Sequence, residues 1–392
     1  MKKIFSVLCV FLFAAIVCTI PVVNNAYAMD TTKQVNQFKS RAIYVVDNDT
    51  NTVLLEKNSD TRYPIASMVK IMTLLLTYNA IDECKFDYDT TITISDYASS
   101  MGGSQMFLEA NEEYTINDLI KGVTVCSAND AAVALAETIS GDISSFVSYM
   151  NSYAKELGME NTLFCNATGL PDSGEQYSTA KDVNIMTKAL IGHPKYFEYS
   201  KIWMEDYTHP DGRTTQMVNT NKLIRFYKYC DGGKTGFTNE AMFCLSATAK
   251  VNDLRIIATV LGSPDSKTRF AEISNSFNHC FANYENRVLL KSEDAINCNL
   301  AVKKAKELPT EVYCDRTLAL FGKKGEQSEY KFKVDLKNNL VAPIPASTEL
   351  GTISVLNSEG KVLCKGLIYS KSDITKRSYL DNIDVVLQNW FL

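Results

Sequence analysis

Three short runs of the chain carry side chains whose types and spacing could do acyl-transfer chemistry. In Ser67-Met-Val-Lys70 a hydroxyl and an amine stand three residues apart at the start of an apolar, helix-like stretch. Residues at i and i+3 of a helix share a face, with Cβ atoms about 5–6 Å apart, so the amine can reach the hydroxyl. A lysine takes a proton from serine only when its pKa is pulled down, by burial or by a second cation. The pattern alone is weak, because Ser-x-x-Lys recurs at Ser152/Lys155, Ser178/Lys181, Ser328/Lys331 and Ser358/Lys361. What separates the first is its company downstream: Ser127-Ala-Asn129, then Lys234-Thr235-Gly236, the only Lys-Thr-Gly in the chain. Taken singly, Ser127 reads as a helix cap and Lys234 as a solvated loop charge. Taken in this order they supply one site with a second hydroxyl, an amide and a second cation. His193, His209 and His279 lie outside all three runs, so a Ser-His-Asp triad is not called for.

Positioning these runs falls to an alternation of strands and helices. Residues 41–56 read as a hairpin turning at Asn48–Asn51, and Pro64 precedes a helix from Ser67 to Asn79. Helices are expected at 115–126, 129–140, 143–157 and 179–191, the last opening on a capping box of Thr179 and Asp182. Ser127-Ala-Asn129 falls between two of them, and Lys234-Thr-Gly follows Asp231-Gly-Gly and precedes a strand at 240–250. A further strand at 254–261 and a helix at 266–284 complete an α+β domain, an antiparallel sheet with a helical cluster, placed at residues 29–290. From about 295 short β-rich runs (311–315, 329–334, 361–364) alternate with Gly, Asn and Pro, which marks a small all-β domain over 291–370. In the last segment, 371–392, Tyr379, Leu380, Ile383, Val386, Leu387, Trp390 and Phe391 share one helical face, an amphipathic helix suited to peripheral membrane contact.

Composition bounds the setting. A chain of 392 residues suggests two domains, and 46% hydrophobic with 22% charged residues excludes extensive disorder. Lys2 and Lys3, the apolar run Ile4–Val23 and Ala26-Tyr-Ala28 read as a secretory signal over residues 1–28, cleaved after Ala28, so the protein is exported. Its loss takes the net charge from −5 to about −7, and no basic stripe invites nucleic acid. Nine of the eleven cysteines remain, scattered and without a C-x-x-C pair, which argues against a zinc site and for mostly buried thiols.

Ser-x-x-Lys, Ser-x-Asn and Lys-Thr-Gly in this order form the set found in penicillin-binding proteins and class A β-lactamases. The chain resembles the low-molecular-weight penicillin-binding proteins that act as serine-type D-alanyl-D-alanine carboxypeptidases, over about residues 38–285. Ile65–Thr73, Gly103–Leu108, Ser127–Ala131, Asn166-Ala-Thr-Gly-Leu-Pro171 and Asp231–Thr238 all read like that family. The resemblance implies a β-lactamase/transpeptidase-like fold, hydrolysis of the terminal D-Ala-D-Ala bond of peptidoglycan pentapeptides, and covalent capture of β-lactams, with no cofactor and no metal. It implies Ser67 as nucleophile, Lys70 as base, Ser127 as proton relay and Lys234 as the cation that keeps Lys70 neutral. It further implies Asn129 as holder of the substrate amide, main-chain oxyanion donors at Ser67 and Phe237, Thr235 and Arg269 at the substrate carboxylate, and Gly236 among the substrate-binding residues. Arg269 otherwise reads as a helix-surface charge. The family often has leucine where this chain has Gly233, and His or Tyr where it has Phe237, which leaves side-chain tuning open. Two rivals share parts of this pattern. A class A β-lactamase would need a Glu-x-x-Leu-Asn stretch that is not found between Ser127 and Lys234; a non-catalytic wall-binding scaffold would have no need of complete motifs.

Overall fold

The computed structural model describes residues 37–171, 174–309, 311–326, 329–379 and 381. The expected secretory signal (1–28) lies outside the described residues, as do residue 380 and residues 382–392 of the expected amphipathic tail.

Five strands form the sheet of the larger, N-terminal region: β1 (Ala42–Asp47), β2 (Val53–Lys57), β3 (Cys230–Thr238), β4 (Met242–Val251) and β5 (Leu254–Ser263). Their order is β2-β1-β5-β4-β3, antiparallel throughout, which leaves β3 at an edge. Both faces of the sheet are covered, so β5 reads as an almost unbroken apolar run. Ile256, Ala258 and Val260 face one core, and Ile257 and Leu261 the other. The first core belongs to α6 (Ser266–Asn283), through Ile273, Phe277 and Cys280.

The second core belongs to a helical cluster: α1 (Lys70–Asp82), α2 (Ile116–Val125), α3 (Asn129–Ser140), α4 (Ile143–Glu156) and α5 (Ala180–Leu190). Helix α1 is apolar all round because it runs through the middle of this cluster, buried from Lys70 to Tyr78. Its beginning is a 3-10 turn, Ala66–Val69, with Ala66 at φ 48°.

The strands and helices expected between residues 41 and 364 are present, with instructive differences, whereas Ile374 and Lys376, expected inside the terminal helix, are extended because their backbone bridges Ile344 and Ala305 of the β-module. The Lys-Thr-Gly run stands inside strand β3 rather than ahead of a strand, since glycine composition hides a strand whose glycines are needed for close approach. At α5 the Thr179 hydroxyl caps Asp182 N, but the Asp182 carboxylate accepts from Asn161 N and Thr162 Oγ1 instead of returning to Thr179. The reciprocal capping box stands at Thr115 and Asp118. Of the nine cysteines expected to be mostly buried, only Cys230, Cys244, Cys280 and Cys314 are buried, and the other five are partly or fully exposed.

The C-terminal module has its own core around Val312, Leu350, Ile353, Val355 and Ile368. Four strands, Tyr313–Cys314, Tyr330–Leu336, Glu349–Asn357 and Val362–Tyr369, form its main sheet. The strand Tyr284–Leu290 leaves α6 and pairs with Leu318–Lys323, joining the two regions. At the tail's entry Ser378 N donates to Asp381 Oδ2, and Asp381 N donates back to Ser378 Oγ. No helix among the described residues is long and apolar enough to cross a membrane.

Candidate active site

The three motif runs converge where the sheet edge meets the helical cluster. Lys70 Nζ lies 3.1 Å from Ser67 Oγ and donates to the Thr168 carbonyl at 2.6 Å. Lys234 Nζ donates to Ser127 Oγ at 2.7 Å and to its neighbour Thr235 O at 3.1 Å. Both lysines are buried, whereas Ser67 is half-buried. Burial pushes the Lys70 amine well below its usual range, and the charge of Lys234 pushes it further. Lys234 is pushed down to about 7, again by burial first, with Arg269 adding to the effect. Sequence reasoning gave the leading part to Lys234; the structure gives it to burial.

Contact between strand and turn explains the glycine of Lys-Thr-Gly. A Cβ on Gly236 would stand 2.5 Å from Ile65 O and 3.1 Å from Met68 Cγ, so only glycine lets β3 lie against the Ser67 turn. Ser127 sits at φ 64°, a conformation most residues avoid, one residue ahead of the Ala128 N-cap of α3. Asn129 N donates to Ser104 O at 2.7 Å and its Nδ2 to Gly102 O at 2.6 Å, while its buried Oδ1 has no partner. That orphan acceptor suits a ligand N–H.

Two supports fall within the family-like runs but carry no role that the sequence assigns. Asp130, next to Asn129, accepts from Met106 N at 3.2 Å, Leu108 N at 3.0 Å and Ala131 N at 2.9 Å, fixing the loop whose carbonyls hold Asn129. Burial raises its pKa, opposed by these bonds. Asp130→Ala strands two loop N–H groups and is expected to lower stability by about 1–3 kcal/mol; an unshifted urea midpoint would contradict this. Asn166 is the second support. Its Oδ1 accepts from Thr168 N at 3.1 Å and Gly169 N at 2.7 Å, and its Nδ2 donates to Leu170 O at 3.0 Å, shaping the loop that presents Thr168 O to Lys70. Asx-turn chemistry is readable from Asn-Ala-Thr-Gly, but its destination 98 positions from Lys70 is not.

Thr235 is buried on β3, and Phe237 is 52% exposed, its ring 4.4 Å from that of Phe243. Arg269 is not a surface charge: it is 8% exposed, and its Nη1 donates to Gly236 O and Cys244 O at 3.1 Å each. Among the described residues, the one acidic group of three that could hold a metal is Glu109, Glu112 and Asp211, which Arg213 already pairs.

A helical cluster on an antiparallel sheet, with two serine–lysine pairs at their junction, defines a serine enzyme of the transpeptidase-like class. Residues 29–265 match the peptidase S11 family model, D-alanyl-D-alanine carboxypeptidase, and residues 284–376 match the penicillin-binding protein 5 C-terminal domain. The chain is 38% identical over 370 residues to D-alanyl-D-alanine carboxypeptidase DacF of Bacillus subtilis (strain 168), covering 93% of this chain and 94% of that one. It is 29% identical over 380 residues to DacA of Escherichia coli (strain K12), covering 91% and 90%. Penicillin-binding protein 5 from Haemophilus influenzae superimposes with a TM-score of 0.67 at 30% identity, over 87% of this chain and 98% of that one. The chain belongs to the D-alanyl-D-alanine carboxypeptidase family of serine peptidases.

Proposed function

We propose that the chain removes the terminal D-alanine from peptidoglycan pentapeptides through an acyl-enzyme on Ser67. The observation that carries this reading is the doubled pair, Lys70 on Ser67 at 3.1 Å and Lys234 on Ser127 at 2.7 Å, with both amines buried. The Ser67 hydroxyl donates its proton to the neutral Lys70 amine as Oγ attacks the carbonyl between the two D-alanines. The oxyanion is held by the N–H groups of Ser67 and Phe237, each worth about 2.7–4 kcal/mol. Ser127 passes the proton to the departing amine of D-alanine, and water then hydrolyses the ester. Asn129 Oδ1, a buried acceptor without a partner, takes the substrate's amide N–H. Thr235 and Arg269 take the free carboxylate, for which a guanidinium fork is suited.

Export rests on the leader at residues 1–28, and peripheral membrane contact on the apolar face of 371–392. Incubating the mature protein with a stem pentapeptide should release one D-alanine per peptide, and benzylpenicillin should leave a slowly turning-over adduct on the Ser67 peptide by mass spectrometry. Rapid penicillin hydrolysis without D-alanine release would replace this reading with that of a β-lactamase.

A further inference from the structure

Arg269 and Glu272 stand three residues apart on α6, a spacing at which arginine and glutamate ordinarily pair. Both are buried, each 8% exposed, where such a pair would form charge-assisted bonds. The structure does not pair them. Glu272 Oε1 accepts from Lys39 N at 2.6 Å and Ser40 N at 3.3 Å, and Oε2 accepts from Ser40 Oγ. Arg269 turns toward β3 and the carbonyls of Gly236 and Cys244, with its Nε buried and unpartnered. Its charge is opposed by burial and met by no carboxylate among the described residues. The arm that occupies Glu272 is itself fastened. Lys57 Nζ donates to Phe38 O at 2.7 Å and Ser40 O at 3.0 Å, and Ser40 is fully buried.

We infer that Lys39 and Ser40 are positioning residues that hold Glu272 away from Arg269, so that the guanidinium behind the Lys-Thr-Gly strand stays uncompensated for the substrate's carboxylate. The inference rests on the reading of Arg269 as carboxylate anchor. A buried carboxylate stripped of a donor seeks another. On the Glu272 side of α6 the guanidinium three residues back is the cation that its own helix offers. Once paired internally, Arg269 no longer distinguishes a free acid from a neutral amide.

The test compares a pentapeptide ending in free D-alanine with the same peptide ending in D-alanine amide. Arg269→Leu should erase the preference for the acid; an intact preference would remove the anchor reading and this inference with it. Given that loss, Ser40→Val should lower the acid-over-amide preference about tenfold, through KM rather than kcat, as expected for a charge-assisted contact. Ser40→Val/Glu272→Gln should restore it, because a neutral amide at 272 leaves Arg269 charged and unpaired. An unchanged preference in Ser40→Val, or a double variant no better than the single one, overturns the proposal. A merely structural role for Ser40 would lower activity on both peptides alike and would not be rescued.

Discussion

Lys70→Met should slow acylation by β-lactams and peptides by about 10³-fold or more, the scale of a lost general base that acts as a unit with its nucleophile. Methionine keeps the length and apolar stem of a side chain that is fully buried, so the fold has a filler while Ser67 Oγ has no acceptor 3.1 Å away. The same variant makes a prediction about stability. In the folded protein Lys70 titrates well below 10.5, chiefly because it is buried and then because Lys234 is charged beside it. Between its folded and unfolded pKa values the unfolded chain binds a proton there that the folded chain does not. Stability therefore rises with pH across that window, by about 1.4 kcal/mol per unit for each such lysine, and is lost again as pH falls toward the folded value. Lys234, at about 7 when folded, contributes in the same direction from 7 upward. Buried thiols such as Cys230 and Cys280, pushed up to about 12, act in the opposite sense once unfolded thiols ionise, so the clean interval is about pH 7–8.5. Urea unfolding over that interval should give a shallower pH slope for Lys70→Met than for the parent protein, the thiol contribution cancelling in the difference. Parallel slopes would show that Lys70 is protonated in the folded state. The absolute stability is a separate matter, since Thr168 O loses its donor in the variant.

Much of the site is legible in the chain because its chemistry depends on residue type at short spacing. Ser67 and Lys70 are three apart and lie on one turn; the Ser127 and Lys234 runs are identifiable as triplets. Less legible is whatever depends on where distant segments meet. Asp130 stands beside a recognised asparagine, yet its carboxylate serves a loop some 22–24 positions earlier. Glu272 looks like a partner for Arg269 until the chain folds Ser40 across 232 positions to reach it. β3 is hard to see because Gly232, Gly233 and Gly236 lower its β-propensity. Burial is the other quantity a sequence conceals. Two lysines can be suspected of depressing each other's pKa from motif order, but their removal from water, the larger cause, comes from packing by α1, α3 and the sheet.

Gly169→Ala should lower acylation about 100-fold although residue 169 carries no functional group. Gly169 sits at φ +82°, and a Cβ there would lie 2.0 Å from Ala66 O, 2.3 Å from Ala66 C and 2.8 Å from Ser67 N. These are backbone atoms of the Ser67 turn, already held with Ala66 in a left-handed conformation, so they cannot yield by a side-chain rotation. The loop of residues 166–171 must therefore withdraw from the turn, carrying Thr168 O away from Lys70 Nζ, which it now holds at 2.6 Å. Displacements of about 1 Å among reacting groups can cost about 100-fold in rate. Stability should fall as well, by about 1–3 kcal/mol for overpacking and a further ~1–2 kcal/mol for alanine in the left-handed region. Gly158→Ala separates the two causes. Gly158 has nearly the same backbone, φ +78°, but no atom within 4 Å of its Cβ position. It should show the left-handed penalty alone, with acylation at the parent rate. If Gly169→Ala acylates as Gly158→Ala does, the packing of this loop against the Ser67 turn is not what holds Lys70 in register with its serine.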